Sequence, residues 1–195
     1  MTNILYEPFP EAITAAGQKF AVLTDFREWL RFADLIADKE IPAEEKAYLC
    51  SMWLDPEPET ITEEIIHKVI AFYRADELFY KREADDGAEE AEPAAPSPPL
   101  FDWCMDARFI LGDFRQFYGI DLLTVPYLHW WEFLSLFTAL PEESSCMKRI
   151  AYRGADLSQI KDKRERSRIA KIQKQIALPF TFDDEMIGET LWNMR

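Results

Sequence analysis

The run at residues 84–99, which reads ADDGAEEAEPAAPSPP, constrains the fold of this chain more than any other stretch. It is rich in acid, alanine and proline and has no large apolar side chain, so it cannot bury enough surface to offset the entropy lost on ordering. We therefore predict a disordered, acidic, Pro-rich spacer. The spacer separates an N-terminal helical region (residues 1–83) from a C-terminal helical region (100–178), which a tail (179–195) follows.

The N-terminal region begins with a pattern typical of a short β-hairpin. Apolar residues lie on both sides of Ala16-Gly17, a pair that suits a tight turn. After the hairpin, Thr24 and Asp25 supply oxygen atoms that can cap a helix. Apolar residues at spacings of three and four then predict a helix that ends near Asp38; they are Phe26, Trp29, Leu30, Ala33 and Ile36.

Two further helices are predicted in the N-terminal region. Pro42 suits the first turn of the second helix, because a proline there removes no intrahelical hydrogen bond, and the Pro-rich run at residues 55–58 ends it. Thr62 can cap the third helix, which is predicted to reach about Lys81.

The C-terminal region also has helical periodicity. Gly119 is predicted to end its first helix, since glycine readily takes the left-handed conformation of a helix C-terminus. Pro126 is predicted to open the next helix, and a last long helix is predicted from near Leu157 to the residues before Pro179. The predicted fold class is therefore mainly α: a helical bundle with a short N-terminal β-hairpin and the disordered spacer.

Charge and cysteine content argue against several classes of protein. The formal net charge of −14 would repel nucleic acid and anionic membranes. The three cysteines, Cys50, Cys104 and Cys146, are widely separated, which is typical of a reducing compartment. No basic leader precedes an apolar run, and no apolar run approaches the roughly 20 residues that span a bilayer. We expect a cytoplasmic protein that binds neither nucleic acid nor membrane.

Few residues suit catalysis. Both histidines, His67 and His129, lie among apolar neighbours and are expected to be packed, and six scattered glycines cannot form a nucleotide-binding loop. Asp106 and Asp113 flank an apolar helix face, where a solvated edge is the expectation. No residue spacing matches a metal site. We predict no catalytic, cofactor-binding or metal-binding residues and a protein that is not an enzyme.

The last predicted helix is the basic part of the chain. Its cationic residues are Lys161, Lys163, Arg164, Arg166, Arg168, Lys171 and Lys174. A solvated or internally paired face and a partner-binding face are both consistent with this pattern. Among partners, a protein surface is favoured because the net charge of the chain opposes binding to polyanions.

Four stretches of the sequence resemble a bacteriophage family, gene product fifteen of long-tailed phages and prophages. They read LTDFREW at residues 23–29, FYGIDL at 117–122, LHWWEF at 128–133 and RIAYR at 149–153. The resemblance covers residues 20–178, and its most specific elements are the His-Trp-Trp and Tyr-Arg sequences.

The resemblance implies a tail assembly chaperone, a helical protein of the host cytoplasm that is absent from the finished virion. Its implied partners are the phage tape measure protein and the major tail (tube) protein, whose subunits it recruits during tail morphogenesis; self-association is a further expectation. One alternative is a structural tail completion or connector protein retained in the virion. Another is a nucleic-acid-binding regulator that uses the basic helix.

Within this resemblance, eight residues are candidates for partner binding. They are Trp130, Trp131, Phe133, Tyr152, Arg153, Lys161, Arg164 and Arg168. For the three in the LHWWEF stretch, core packing is the alternative, because aromatic residues at helical spacing belong mostly to cores. Tyr152 and Arg153, just before the basic helix, are expected either in a self-association contact or in packing at a hinge.

Overall fold

The computed structural model describes residues 4–79 and 99–178. In this part the chain is mainly α-helical, as predicted, and three short strands form one antiparallel sheet. The predicted spacer, except Pro99, and the predicted tail lie outside the described residues. The helical bundle and the disordered spacer therefore stay predictions.

The described residues form two compact units. Unit 1 contains residues 4–79 together with Tyr127–Leu134, and unit 2 contains residues 99–126 and 135–178. The sequence-based division placed the whole of 100–178 in one region. In the structure, Tyr127–Leu134 lies within that region of the sequence but packs in unit 1.

The sheet of unit 1 has the order β1 (Ala12–Ala15), β2 (Gln18–Val22) and β3 (Leu54–Asp55). β1 and β2 form the predicted hairpin, and the two turn residues between them, Ala16 and Gly17, both have positive φ, at 50° and 75°. This conformation matches the right-handed twist of the two strands. β3 pairs with the end of β2 and was not predicted, because two residues are too few to show a periodicity.

Residues 4–79 contain the three predicted helices and a fourth, single-turn helix that was not predicted. They are α1 (Phe26–Ala37), α2 (Ala43–Leu49), α3 (Glu63–Arg74) and the single turn α4 (Asp76–Phe79), with a 3₁₀ turn at Cys50–Trp53. The predicted caps are confirmed: Asp25 Oδ1 accepts from the N–H of Arg27 at 3.0 Å, and Thr62 Oγ1 accepts from the N–H of Ile65 at 3.3 Å. The prediction that the third helix reaches Lys81 is wrong, because Ala75 takes the left-handed conformation (φ 52°) and interrupts it.

The core of unit 1 lies between the sheet and the apolar faces of α1 and α3. Its buried apolar side chains within residues 4–79 include Phe20, Phe26, Trp29, Phe32, Ile65, Val69 and Phe72. The ring of Trp29 lies 5.0 Å from that of Phe72 and 5.1 Å from that of Phe32, measured between centroids. Aromatic burial of this kind removes a large apolar area from water and is the main source of stability in a unit of this size.

The remaining helices are α5 (Ala107–Asp113), α6 (Trp130–Thr138), α7 (Ser145–Gly154) and α8 (Lys163–Ile176). A π-helical turn at Phe114–Tyr118 extends α5, and Gly119 ends it in the left-handed conformation (φ 68°), as predicted. The first residues of α6, up to Leu134, belong to unit 1, and the rest belong to unit 2.

Two predicted helix starts are wrong. The sixth helix begins at Trp130 rather than near Pro126, because the residue before it, His129, forms a bridge with Asp25 in extended backbone. The last helix begins at Lys163 rather than near Leu157. Asp162 caps it by accepting from the N–H of Glu165 at 2.8 Å, a signal that the apolar pattern alone does not contain.

Candidate protein-interaction site

The three candidate aromatic residues lie inside unit 1. Trp130, Trp131 and Phe133 are 1%, 2% and 1% exposed. The ring of Phe133 stacks on Phe26 with centroids 5.0 Å apart, and the ring of Trp130 stacks on Tyr73 at 5.6 Å. These side chains are core residues in the folded chain, which is the alternative to partner binding.

Both buried indoles also complete the end of α3. The last carbonyl groups of a helix have no intrahelical donor and must be satisfied from elsewhere. The indole N–H of Trp130 donates to the carbonyl of Tyr73 at 2.7 Å, and that of Trp131 donates to the carbonyl of Phe72 at 2.8 Å. The His-Trp-Trp sequence is therefore a structural element that ties the start of α6 to the end of α3.

Two of the stretches that carry the family resemblance meet in unit 1. The N–H of Phe26 donates to the carbonyl of Leu128 at 2.9 Å, and the N–H of Trp130 donates to the carbonyl of Thr24 at 2.7 Å. These bonds flank the bridge between Asp25 and His129. The LTDFREW and LHWWEF stretches are thus joined by backbone pairing.

His129 is a structural histidine with both ring nitrogens bonded. Its Nε2 lies 3.1 Å from the carbonyl of Pro10, which can only accept, and its Nδ1 accepts from the N–H of Trp131 at 3.0 Å. This arrangement defines the neutral tautomer with hydrogen on Nε2. Burial lowers the pKa of His129, although the Pro10 carbonyl and the Glu11 charge oppose that shift. The other histidine, His67, is exposed, so the expectation that it is packed is wrong.

In unit 2 the central polar side chain is Asp106. Its side chain is 0% exposed, and both of its carboxylate oxygens accept hydrogen bonds from arginines of α7. Arg153 binds it in a two-pronged manner, with Nη1 2.5 Å from Oδ2 and Nη2 2.9 Å from Oδ1, and Arg149 Nε lies 3.2 Å from Oδ1. The expectation that Asp106 lies at a solvated edge is wrong.

The environment of Asp106 holds it in the charged form. Burial alone would raise the pKa of its carboxyl group. The hydrogen bonds and charge of Arg153, the N–H of Asp102 and the hydrogen bond from Arg149 outweigh burial and lower the pKa. Arg153 also donates to the carbonyl groups of Leu100 at 2.9 Å and Ile176 at 2.8 Å. This candidate partner-binding residue is therefore committed to contacts inside unit 2.

Asp113, seven residues after Asp106, was also expected at a solvated edge and is 2% exposed. Its Oδ1 accepts from the N–H of Ser145 at 3.0 Å and its Oδ2 accepts from the N–H of Cys146 at 2.7 Å. Both N–H groups lie in the first turn of α7, so they have no acceptor within the helix, and negative charge is favourable there. Asp113 thus binds the start of α7, and Asp106 binds its second half. The two carboxylates are seven residues apart, so they lie two turns apart on the same face of α5 and its N-cap.

α8 contacts α7 through Gln173, Arg168 and the carbonyl of Ile176. The side-chain amide of Gln173 donates to the carbonyl groups of Tyr152 at 2.9 Å and Ala155 at 2.8 Å. Arg168 Nη2 donates to the hydroxyl of Tyr152 at 3.2 Å. Tyr152 and Arg153 therefore hold α8 against α7, which agrees with packing at the junction.

The opposite side of α8 is cationic and exposed. We call it the cationic face, and it consists of Lys163, Arg164, Arg168, Lys171 and Lys174. The helical repeat puts these residues on the side opposite Ile169 and Gln173, which are partly buried. Arg168 pairs with Glu165 at 3.4 Å. Within the described chain, no ion pair is formed by Lys163, Arg164, Lys171 or Lys174, and a shallow depression of the surface runs along the face.

Of the eight candidates, the structure places Arg164 and Arg168 on the cationic face and exposed Lys161 just before it. Lys163, Lys171 and Lys174 complete the face; all three were predicted among the basic residues of the last helix, although they were not among the eight candidates. A second charged surface was missed altogether. It is the acidic segment at residues 38–64, which carries 9 Asp and Glu against 2 Lys, and all of these acidic side chains are exposed.

The buried thiols offer no reactive group. Burial raises the pKa of Cys50 and of Cys146 to about 11, so neither is a thiolate at neutral pH. Within residues 4–79 and 99–178, no three His, Cys, Asp or Glu side chains are grouped so that they could hold a metal ion. Nor does any helix of this part have the length and hydropathy needed to cross a membrane.

Fold and surface together define a mainly helical protein with structural ion pairs and one exposed cationic helix face. The chain belongs to the family described as Bacteriophage Gp15 protein, which it matches over residues 5–178. No curated protein and no solved structure matches it.

Proposed function

We propose that this phage protein is a tail assembly chaperone that acts in the host cytoplasm, binds the tape measure protein and recruits tail tube subunits. Membership of the Gp15 family over residues 5–178 supports a role in the phage. The observation that carries the proposal of protein binding is the cationic face, whose Lys163, Arg164, Lys171 and Lys174 have no ion-pair partner among the described residues.

The contact surface of the proposed chaperone is in unit 2. Arg164, Arg168 and Lys161 are exposed, whereas Trp130, Trp131 and Phe133 contribute to the core and are no longer proposed as contacts. Lysine and arginine stems supply apolar area as well as charge, so the cationic face suits an acidic protein surface.

The proposal is tested by coexpressing the full chain with the tape measure and tube proteins encoded beside it. An affinity tag on this chain should recover the tape measure protein, and the tube protein should be recovered with it. An unrelated acidic helical protein with the same tag is the control. Recovery of neither tail protein above that control would contradict the proposal.

Purified virions separate the chaperone from a retained structural protein. A chaperone acts on the growing tail and leaves it, so the chain should be present in lysates during assembly and absent from purified particles by mass spectrometry. A constant number of copies in every particle would favour the tail completion or connector alternative.

A further inference from the structure

The two units of this chain carry opposite charge. Residues 4–79 and 127–134 of unit 1 hold 17 Asp and Glu against 7 Lys and Arg, a net charge of −10. Residues 99–126 and 135–178 of unit 2 hold 9 Asp and Glu against 12 Lys and Arg, a net charge of +3. The strong acidity of the whole chain therefore conceals a positively charged unit.

Within each unit the excess charge is concentrated in one stretch. In unit 2, residues 161–174 hold 7 Lys and Arg against 2 Asp and Glu, and most of the cations lie on the cationic face. In unit 1, the acidic segment has a net charge of −7. It also exposes two large apolar side chains, Tyr48 (59% exposed) and Met52 (62%), one helical turn apart. An acidic surface with exposed apolar groups suits a cationic helix whose lysine stems are themselves apolar.

We propose that the cationic face of α8 binds the acidic segment of a second copy of this chain, so that copies associate head to tail. This inference deepens the proposed function by naming a protein partner of the same face. Two cationic faces repel one another, as do two acidic segments, so a symmetric contact between identical surfaces is disfavoured. When two copies make one such contact, one cationic face and one acidic segment stay free at the ends, and further copies can add to both. A closed pair, in which each cationic face binds the other copy's acidic segment, would instead stop at the dimer and would contradict head-to-tail growth.

An array of charges is required because one exposed ion pair contributes little. Four cationic residues of the face have no ion pair within the described chain, and nine carboxylates are exposed in the acidic segment. Such arrays raise the rate of encounter, and salt weakens them strongly. Association that falls with ionic strength is the signature of this contact.

Sedimentation velocity of the full chain should show mass that grows with protein concentration at about 50 mM salt and falls towards the monomer at about 500 mM, where screening is severe. R164E/K171E lowers the charge of the cationic face from +5 to +1, and E40K/E59K reduces the negative charge of the acidic segment from −7 to −3 without changing a helix. Each variant alone should sediment as a monomer at concentrations at which the natural chain associates. Circular dichroism should show that both remain folded.

The decisive measurement is a mixture of the two variants. The intact cationic face of E40K/E59K meets the intact acidic segment of R164E/K171E, so the mixture should recover association. The matched control for R164E/K171E is K19E/K68E, which makes the same change in net charge at two exposed lysines of unit 1. It should associate like the natural chain.

Three outcomes would overturn the proposal: a natural chain that is monomeric at all concentrations, a variant mixture that stays monomeric, or association that survives R164E/K171E. A monomeric natural chain that shifts phage DNA at about 150 mM salt, with the shift lost in R164E/K171E, would assign the cationic face to nucleic acid. Self-association is measured on this chain alone, so its failure and a failure to recover tail proteins in coexpression are separate results.

Discussion

Asp106 shows how much one side chain contributes to the packing of unit 2. It is fully buried, and its negative charge is balanced by Arg153 and Arg149, which both belong to α7. Removing one partner of a buried ion pair leaves the other charges without compensation, which costs far more than breaking an exposed pair. The stability of unit 2 therefore depends on the charged form of this carboxyl group.

Asp106→Asn is expected to lower the free energy of unfolding by about 3–5 kcal/mol, because the amide keeps the shape of the side chain but leaves the nearly buried Arg153 and the partly exposed Arg149 without a counter-charge. Urea unfolding measured on the variant and the natural chain checks this value. Asp121→Asn, which removes the more exposed ion pair with Arg115, is the control and should have a much smaller effect. Equal losses in the two variants would contradict the argument.

His129 makes the stability of unit 1 depend on pH. Burial lowers its pKa in the folded chain, so between that lowered pKa and the ordinary value of about 6.5 the unfolded chain binds a proton that the folded chain does not. The stability is present above about pH 6.5 and is lost as the pH falls towards the folded pKa.

The measurement is urea unfolding of the H67Q variant, in which His129 is the single remaining histidine, from about pH 8 to pH 5. The free energy of unfolding should decline below about pH 6.5. Adding H129Q, which keeps one donor and one acceptor for Pro10 and Trp131, should remove this decline. A decline that is the same with and without H129Q would assign it to other groups.

Residue roles were predictable from the sequence only where the partners are close in the chain. The capping oxygens of Asp25 and Thr62 act within three residues, and both were predicted. Asp106 binds arginines 43 and 47 residues away, so nothing in its own surroundings distinguishes it from a solvated carboxylate. The burial of Trp130 was an open alternative, whereas its role at the end of α3 depends on Tyr73, 57 residues earlier.

Among the single elements, the hairpin turn contains a residue in an unfavourable backbone conformation. Ala16 has a positive φ of 50°, and an L-residue with a Cβ atom pays a steric cost there that asparagine partly avoids. Ala16→Asn should therefore raise the free energy of unfolding by about 1 kcal/mol. Ala16→Val is the matched contrast, because branching at Cβ makes the left-handed conformation worse, and it should lower stability. A thermal unfolding series that ranked valine above asparagine would contradict the turn geometry.

Elements with a repeated local signal were predicted well, and those without one were not. α1 has a cap, an apolar face at regular spacing and an end near Asp38, and the structure agrees within a residue or two. α3 shows no stop signal at Ala75, because alanine favours helix. The left-handed residue there is fully buried in the folded chain. β3 consists of two residues whose pairing comes from the neighbouring strand.

At the scale of the whole molecule, solubility depends on the large excess of acid. The net charge of −14 at pH 7 declines to zero near the pI of about 4.6. Repulsion between molecules then disappears, and we expect a minimum of solubility close to that pH. Light scattering during a titration from pH 7 to pH 4 checks this, with circular dichroism to follow folding. A chain as soluble at pH 4.6 as at pH 7 would contradict it.

The membership of Tyr127–Leu134 in unit 1 has a consequence for biosynthesis. A ribosome makes roughly 5–20 residues per second, and N-terminal domains commonly fold while later ones are still being translated. Here the first 79 residues emerge without Trp130, Trp131 and Phe133, so the core of unit 1 is complete only after these later residues have been translated. A gene truncated at the acidic, Pro-rich run would consequently encode a fragment that lacks part of the core of unit 1. Composition alone nevertheless suggests that run as the boundary at which to divide the protein.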